Sequence, residues 1–254
     1  MGPVALAAVW FGAPYFPLLV ALLAFGMGRE WARLSGGDAL AAKTSVVLTL
    51  VLTVAAAALG LPLIALLLAV LGSLATWVAA QLSAAPAPRW TAAGTLWLAV
   101  PCLAILWIAQ GTNGRTNGRA AILWLFAVVW ASDIGAYAAG RAFGGPRLAP
   151  SLSPNKTWAG AVGGFVASGL VGWAAAVLLA APVAIMVATS LVLAIAAQLG
   201  DLAESMAKRH FGAKDSGALI PGHGGLLDRL DSLLTAAAVL GLLTLIGADA
   251  VLYP

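Results

Sequence analysis

Apolar runs of about 20 residues, the length an α-helix needs to cross a bilayer, recur along nearly the whole of this 254-residue chain. Of its residues 62% are hydrophobic and 9% charged, whereas an ordinary soluble domain carries about 25% charged residues. Mean hydropathy is +1.01. The expected fold class is therefore all-α, a polytopic transmembrane helix bundle.

Eight spans are expected, at 17–33, 44–59, 61–82, 91–109, 119–143, 158–180, 183–200 (continuing as helix past Lys208) and 233–252. An apolar segment at 2–11 precedes them as a half-span or re-entrant piece, giving eight to nine in all. Breaks fall on turn chemistry, at Gly36-Gly37, Gly60, Pro86 and Pro88, Gly111 to Gly118, Gly144 to Pro154, and Pro182. Alternating the spans across a bilayer puts eleven of the 13 basic residues on one side and leaves Arg115 and Arg119 on the other. The positive-inside rule makes the first side cytoplasmic and the C-terminus opposite. No internal repeat or soluble domain separates, so 1–254 reads as one integral membrane domain, with N-terminal helices over 1–118 and a second half over 119–254 that holds the cytoplasmic loop 201–232. The N-terminus lacks the positive region of a cleavable signal peptide and is expected to be retained. The single cysteine, Cys102, can form no internal disulfide. The net charge of +4 comes with no basic run or interleaved aromatic set, which argues against nucleic acid as a partner.

Polar chemistry is concentrated in one place. Five of the nine acidic residues, Asp201, Glu204, Asp215, Asp228 and Asp231, lie between 201 and 231, with both histidines and four basic residues, Lys208, Arg209, Lys214 and Arg229. Asp201, Glu204, Ser205 and Lys208 stand at i, i+3, i+4 and i+7, on one face of a continuing helix. Such a face can be a plain solvated helix end with an i, i+4 pair. Asp228 and Asp231 are three apart and are expected to face one way from the first turn of the last helix, where carboxylates are favoured anyway. Two acidic clusters on adjacent helices with cations between them also suit magnesium and a polyphosphate.

Upstream, Asp133 lies about 15 Å inside its span, where a carboxylate is costly unless paired or wet, and Tyr137 and Arg141 share its face. Ser153, Lys156 and Thr157 precede a helix, where they can cap it or hold a phosphate. Gly160, Gly164, Ser168 and Gly172, spaced by four, read as a close-packing stripe. His223, in a Gly-rich turn, is assigned to substrate or loop positioning, and His210 to the surface.

Ser205, Lys208-Arg209, Lys214-Asp215, Gly217, Pro221, His223-Gly224-Gly225, Asp228-Arg229 and Asp231 together resemble the C-terminal signature of the bacterial phosphatidate cytidylyltransferase (CDP-diacylglycerol synthase) family. Ser153-Pro154-Asn155-Lys156-Thr157-Trp158 is similar to its Ser-Pro-x-Lys-Thr element, and Asp133 to Tyr137 with Gly140-Arg141 to its Asp-x-x-x-Tyr-x-x-Gly helix. The resemblance covers roughly 130–232. The next position is Ala159, where many members carry Glu, so that ligand is not carried over.

What the resemblance implies is cytidylyl transfer from CTP to phosphatidic acid, giving CDP-diacylglycerol and pyrophosphate, in a multi-pass protein of the bacterial inner membrane with its site facing the cytoplasm. Asp201, Lys208, Asp228 and Asp231 would be catalytic, with Asp201, Asp228 and Asp231 as ligands of Mg2+ and room for a second cation. Asp133, Tyr137, Ser153, Lys156, Thr157, Ser205, Arg209, Lys214, Asp215, His223 and Arg229 would bind substrate. The resemblance is also compatible with a homodimer. Two alternatives stay open from the residues: a CTP-dependent lipid or polyprenol kinase, which moves the γ-phosphoryl group instead, and an ion-coupled transporter. The transporter would show paired broken helices in matching halves, which the sequence lacks.

Overall fold

In a computed structural model of the chain, residues 2–111, 118–217 and 224–246 are described. The described residues form nine α-helices: α1 (Gly2–Phe11), α2 (Tyr15–Gly36), α3 (Leu40–Ala58), α4 (Pro62–Leu82), α5 (Pro88–Ala109), α6 (Gly118–Phe143), α7 (Trp158–Leu179), α8 (Val183–His210) and α9 (Asp231–Leu245). The eight expected spans correspond to α2 through α9, and the N-terminal apolar segment is the short helix α1. By length and composition α3 through α8 can each cross a membrane. Helix α2 carries Arg29, Glu30 and Arg33 near its end, and α9 is described over 15 residues. The end expected for the last span, Arg115, Pro221 and His223 lie outside the described residues.

One departure from an all-helical chain is local. The segment expected as a plain turn holds a two-stranded antiparallel hairpin, β1 (Arg147–Ala149) with β2 (Ser153–Thr157). Strand β2 runs straight into α7. The junction is Thr157, whose backbone is extended (φ −120°, ψ 157°) and whose hydroxyl accepts the Gly160 N–H at 3.1 Å as the helix cap.

Packing follows small residues. The buried face of α7 is Gly160, Gly164, Ser168, Gly172 and Ala176, as the four-residue spacing predicts. A Cβ at Gly164 would stand 2.6 Å from the Ser132 carbonyl oxygen of α6, and one at Gly163 2.3 Å from Ala139 Cβ, so no larger residue fits this approach. Where α8 meets α9, a Cβ at Gly200 would fall 2.7 Å from the Asp231 carbonyl oxygen. That contact sets Asp201 beside the start of α9. Trp31 of α2 fills the space over Gly94 of α5, donates its indole N–H to the Thr91 carbonyl at 3.2 Å, and meets Trp97 and Phe211 edge to face.

Candidate active site

The hairpin, the last turns of α6 and α8, the start of α7 and the start of α9 enclose a cavity of about 450 Å³. Asp133, Tyr137 and Arg141 descend its α6 wall, one turn apart, as their spacing requires. Arg141 donates to the Tyr137 hydroxyl at 3.1 Å. Across the cavity Lys156, delivered by β2, pairs with Asp201 of α8, and neither side chain is sealed off: they are 25% and 35% exposed. Asp231 is buried at the first position of α9 and its carboxylate accepts the Ser232 N–H at 2.8 Å. Asp133, Asp201 and Asp231 lie within electrostatic reach of one another.

Deeper in the wall, Ser132 is buried, and its hydroxyl has no hydrogen-bond partner among the described residues. The carbonyl one turn back, Val128 O, accepts the hydroxyl of Ser168 of α7 at 3.1 Å. Gln198 of α8 lines the same cavity and donates to the Ala161 carbonyl at 3.1 Å.

A second cluster adjoins the first. Lys208 is clamped between Glu204 at 2.6 Å and Asp228 at 2.7 Å. Asp228 also accepts the backbone N–H groups of Ser216 (3.0 Å) and Gly225 (2.7 Å). Burial raises the cost of its charge, yet hydrogen bonds from Lys208, Glu204 and those two N–H groups outweigh burial and hold its carboxyl down at about 2. Behind it, Glu30 of α2 is 3% exposed and accepts the N–H groups of Leu226 and Leu227, each at 2.9 Å, and the Ser216 hydroxyl at 3.3 Å. The loop backbone is shaped to this carboxylate: a Cβ at Gly217 would lie 2.6 Å, and one at Gly225 2.8 Å, from a Glu30 oxygen.

The expected face on α8 exists, since the helix runs unbroken to His210. The expected common face of Asp228 and Asp231 does not. Residues 227–229 form a separate 3₁₀ turn, and Leu230 (φ −122°, ψ −5°) breaks it from α9, so each aspartate has its own partners. Of the three expected metal ligands, Asp201 lines the cavity and Asp231 lies buried behind it within electrostatic reach, whereas Asp228 is engaged by Lys208 and the loop backbone. Among the described residues no three His, Cys, Asp or Glu side chains are gathered as a metal cage. Magnesium takes one or two carboxylates plus water and phosphate oxygens, and the pair Asp201 and Asp231 meets that requirement.

Thr157 reaches the cavity but spends its hydroxyl on the helix cap; Ser153 is half-buried in β2 and outside the lining. Ser205 is half-buried on α8, while Lys214 and Asp215 are exposed on the loop. Arg209 bonds the Ala213 carbonyl at 3.1 Å, and Arg229 is exposed beside the last helix. His210 is exposed as expected but stacks on Trp90 at 4.6 Å. Ala159 faces an apolar groove on the outer side of α6 and α7, away from the cavity. Glu30, Ser132 and Gln198 were not anticipated. Glu30 stood in a basic helix end that the positive-inside rule already explained, and a serine and a glutamine in an apolar run give no spacing signal.

The long apolar helices, with charged side chains gathered at one end, define a polytopic helical membrane protein. A model of the cytidylyltransferase family matches residues 1–246, and the chain belongs to that family. The match takes in the N-terminal helices, which resemble the family by eye in hydrophobic character alone. The chain is 50% identical over 161 residues to the phosphatidate cytidylyltransferase of Brucella suis biovar 1 (strain 1330), covering 63% of this chain and 58% of that one. It is 44% identical over 131 residues to the phosphatidate cytidylyltransferase of Staphylococcus aureus (strain COL), covering 51% and 50%. The matched stretch thus spans between half and three fifths of these relatives' length.

Proposed function

We propose that this protein transfers a cytidylyl group from CTP to phosphatidate, forming CDP-diacylglycerol and releasing pyrophosphate, at the cytoplasmic face of a bacterial plasma membrane. The observation that carries the reading is the convergence of Asp133, Lys156 and Asp201 on one cavity in a chain of this family. Charges inside an apolar bundle are costly, and these serve no packing purpose that a neutral residue would not serve better. The relatives' name supplies the substrate class, and the uneven distribution of basic residues supports the orientation.

In such a transfer a phosphate oxygen of the lipid attacks the α-phosphorus of CTP; that P–O bond forms as the bond to the pyrophosphate oxygen breaks. The nucleophile is already an anion near neutral pH, so no side chain has to remove a proton. The protein's task is positioning and neutralisation. Lys156 is set into the cavity beside the partly exposed Asp201, a partner that an incoming phosphate can displace. Arg141, oriented by the Tyr137 hydroxyl, guards the hairpin side, where a nucleotide arriving from water enters. Lys208 is fully engaged by Glu204 and Asp228 and acts through the field it places beside Asp231. Asp201 and Asp231 would hold magnesium, which supplies further neutralisation of the triphosphate when bound.

The test is label transfer into extractable lipid by purified protein with phosphatidate and magnesium. Label from α-labelled CTP should enter lipid and be lost in Asp201→Asn. Label entering from γ-labelled CTP instead would replace this reading with a lipid kinase.

A further inference from the structure

A second cavity of about 500 Å³ lies between α1, α6 and the start of α9, and two residues, Asp133 and Ser232, line both it and the charged cavity. Among the described residues, Arg229 is the one other charged residue on its walls, and the remaining lining is apolar. Phe126 and Trp130 of α6 stand 5.7 Å apart, stacked, along one side; Ala5 of α1 and Leu233 of α9 face the same space. Resting on the proposed reaction, we infer that this chamber receives one acyl chain of the phosphatidate, that α1 forms its lid against the bilayer, and that Ala5 and Trp130 determine which chain lengths are accepted.

The argument is one of continuity and chemistry. A phosphatidate whose phosphate lies in the charged cavity must carry its hydrocarbon away from Lys156 and Asp201. The junction at Asp133 and Ser232 leads from those charges to the apolar side chains of Ala5, Phe126, Trp130 and Leu233, the order of groups along the lipid itself, with Arg229 the other charge on the chamber wall. Helix α1 is ten residues long and apolar throughout, and Gly2 meets Trp130, with a Cβ there at 3.6 Å from the indole ring. Its placement closes one side of the chamber. Because bilayer hydrocarbon is as apolar as these walls, the chamber gains little from the hydrophobic effect and discriminates by shape: a chain that does not fit holds its own phosphate back from the site.

The experiment compares kcat/KM for dipalmitoyl and dioctanoyl phosphatidate, with α-labelled CTP, in wild type, Ala5→Phe and Trp130→Ala. Thermal unfolding in detergent serves as the folding control. Ala5→Phe fills the chamber and is expected to lower the dipalmitoyl to dioctanoyl ratio about tenfold, a step typical of a misfit in an apolar pocket. Trp130→Ala enlarges it and is expected to move the ratio the other way. The inference is overturned if folded variants turn over both lipids at the wild-type ratio, or if both lipids lose rate alike. In those cases wild-type transfer still supports the proposed reaction. Absence of transfer from α-labelled CTP to either lipid in wild type would overturn the reaction, and this inference with it.

Discussion

The two charged clusters at the loop-bearing end of the bundle sit side by side but are built differently. The carboxylates of Asp228 and Glu30 are well satisfied: Lys208 and four backbone N–H groups supply their partners, although the neighbouring Glu204 keeps one buried oxygen without a hydrogen bond among the described residues. Around Asp133, Asp201 and Asp231 the direct ion pair among the described residues is Lys156 with Asp201, and it remains partly open. A saturated cluster holds a shape, whereas an unsaturated one has affinity left over. The difference separates residues that fix the loop from residues proposed to take a ligand, although all of them are Asp, Glu or Lys.

That division can be broken by experiment. The largest effect is expected from Asp201→Asn, which should reduce transfer about a thousandfold while leaving thermal unfolding unchanged. A matching loss of stability would move Asp201 into the structural set. Glu30→Ala should do the reverse first. It strands the buried Leu226 and Leu227 N–H groups and should lower stability by about 3 kcal/mol in denaturant unfolding, with activity falling as the folded fraction falls. Gly164→Ala belongs to neither cluster but presses α7 off α6 at Ser132; a loss of about 2 kcal/mol is expected, with transfer reduced because the cavity wall moves. The smallest effect is the acid response of the loop. Asp228 is depressed to about 2, so its contribution is complete above the ordinary aspartate value near 4 and fades as pH drops through 2. Protease cleavage near Ser216 should therefore rise only below about pH 4, and Asp228→Asn should remove that dependence.

Periodicity was enough to read the helices, the α7 packing stripe, the α6 wall of Asp133, Tyr137 and Arg141, and the α8 face, because each is a repeat within one helix. What spacing does not encode is which helix lies opposite. Lys156 and Asp201 meet because β2 leads into α7 and α7 packs on α6 and α8. Asp228 and Asp231 part company because Leu230 interrupts the helix, and nothing in the side-chain pattern of 227–231 announces that break. Glu30 is the clearest case: its partners are backbone N–H groups, which every residue carries and no composition reveals.

The Glu30 clamp also has an order in time. The bonds to Leu226 and Leu227 join positions 196 and 197 residues apart. Helices α2 through α8 all leave the ribosome before the loop that Glu30 grips. Until then the growing chain holds a carboxylate in an otherwise largely apolar helix without its mates. A chain stopped short of residue 226 thus has helices α2 through α8 but not the fastening between α2 and the loop.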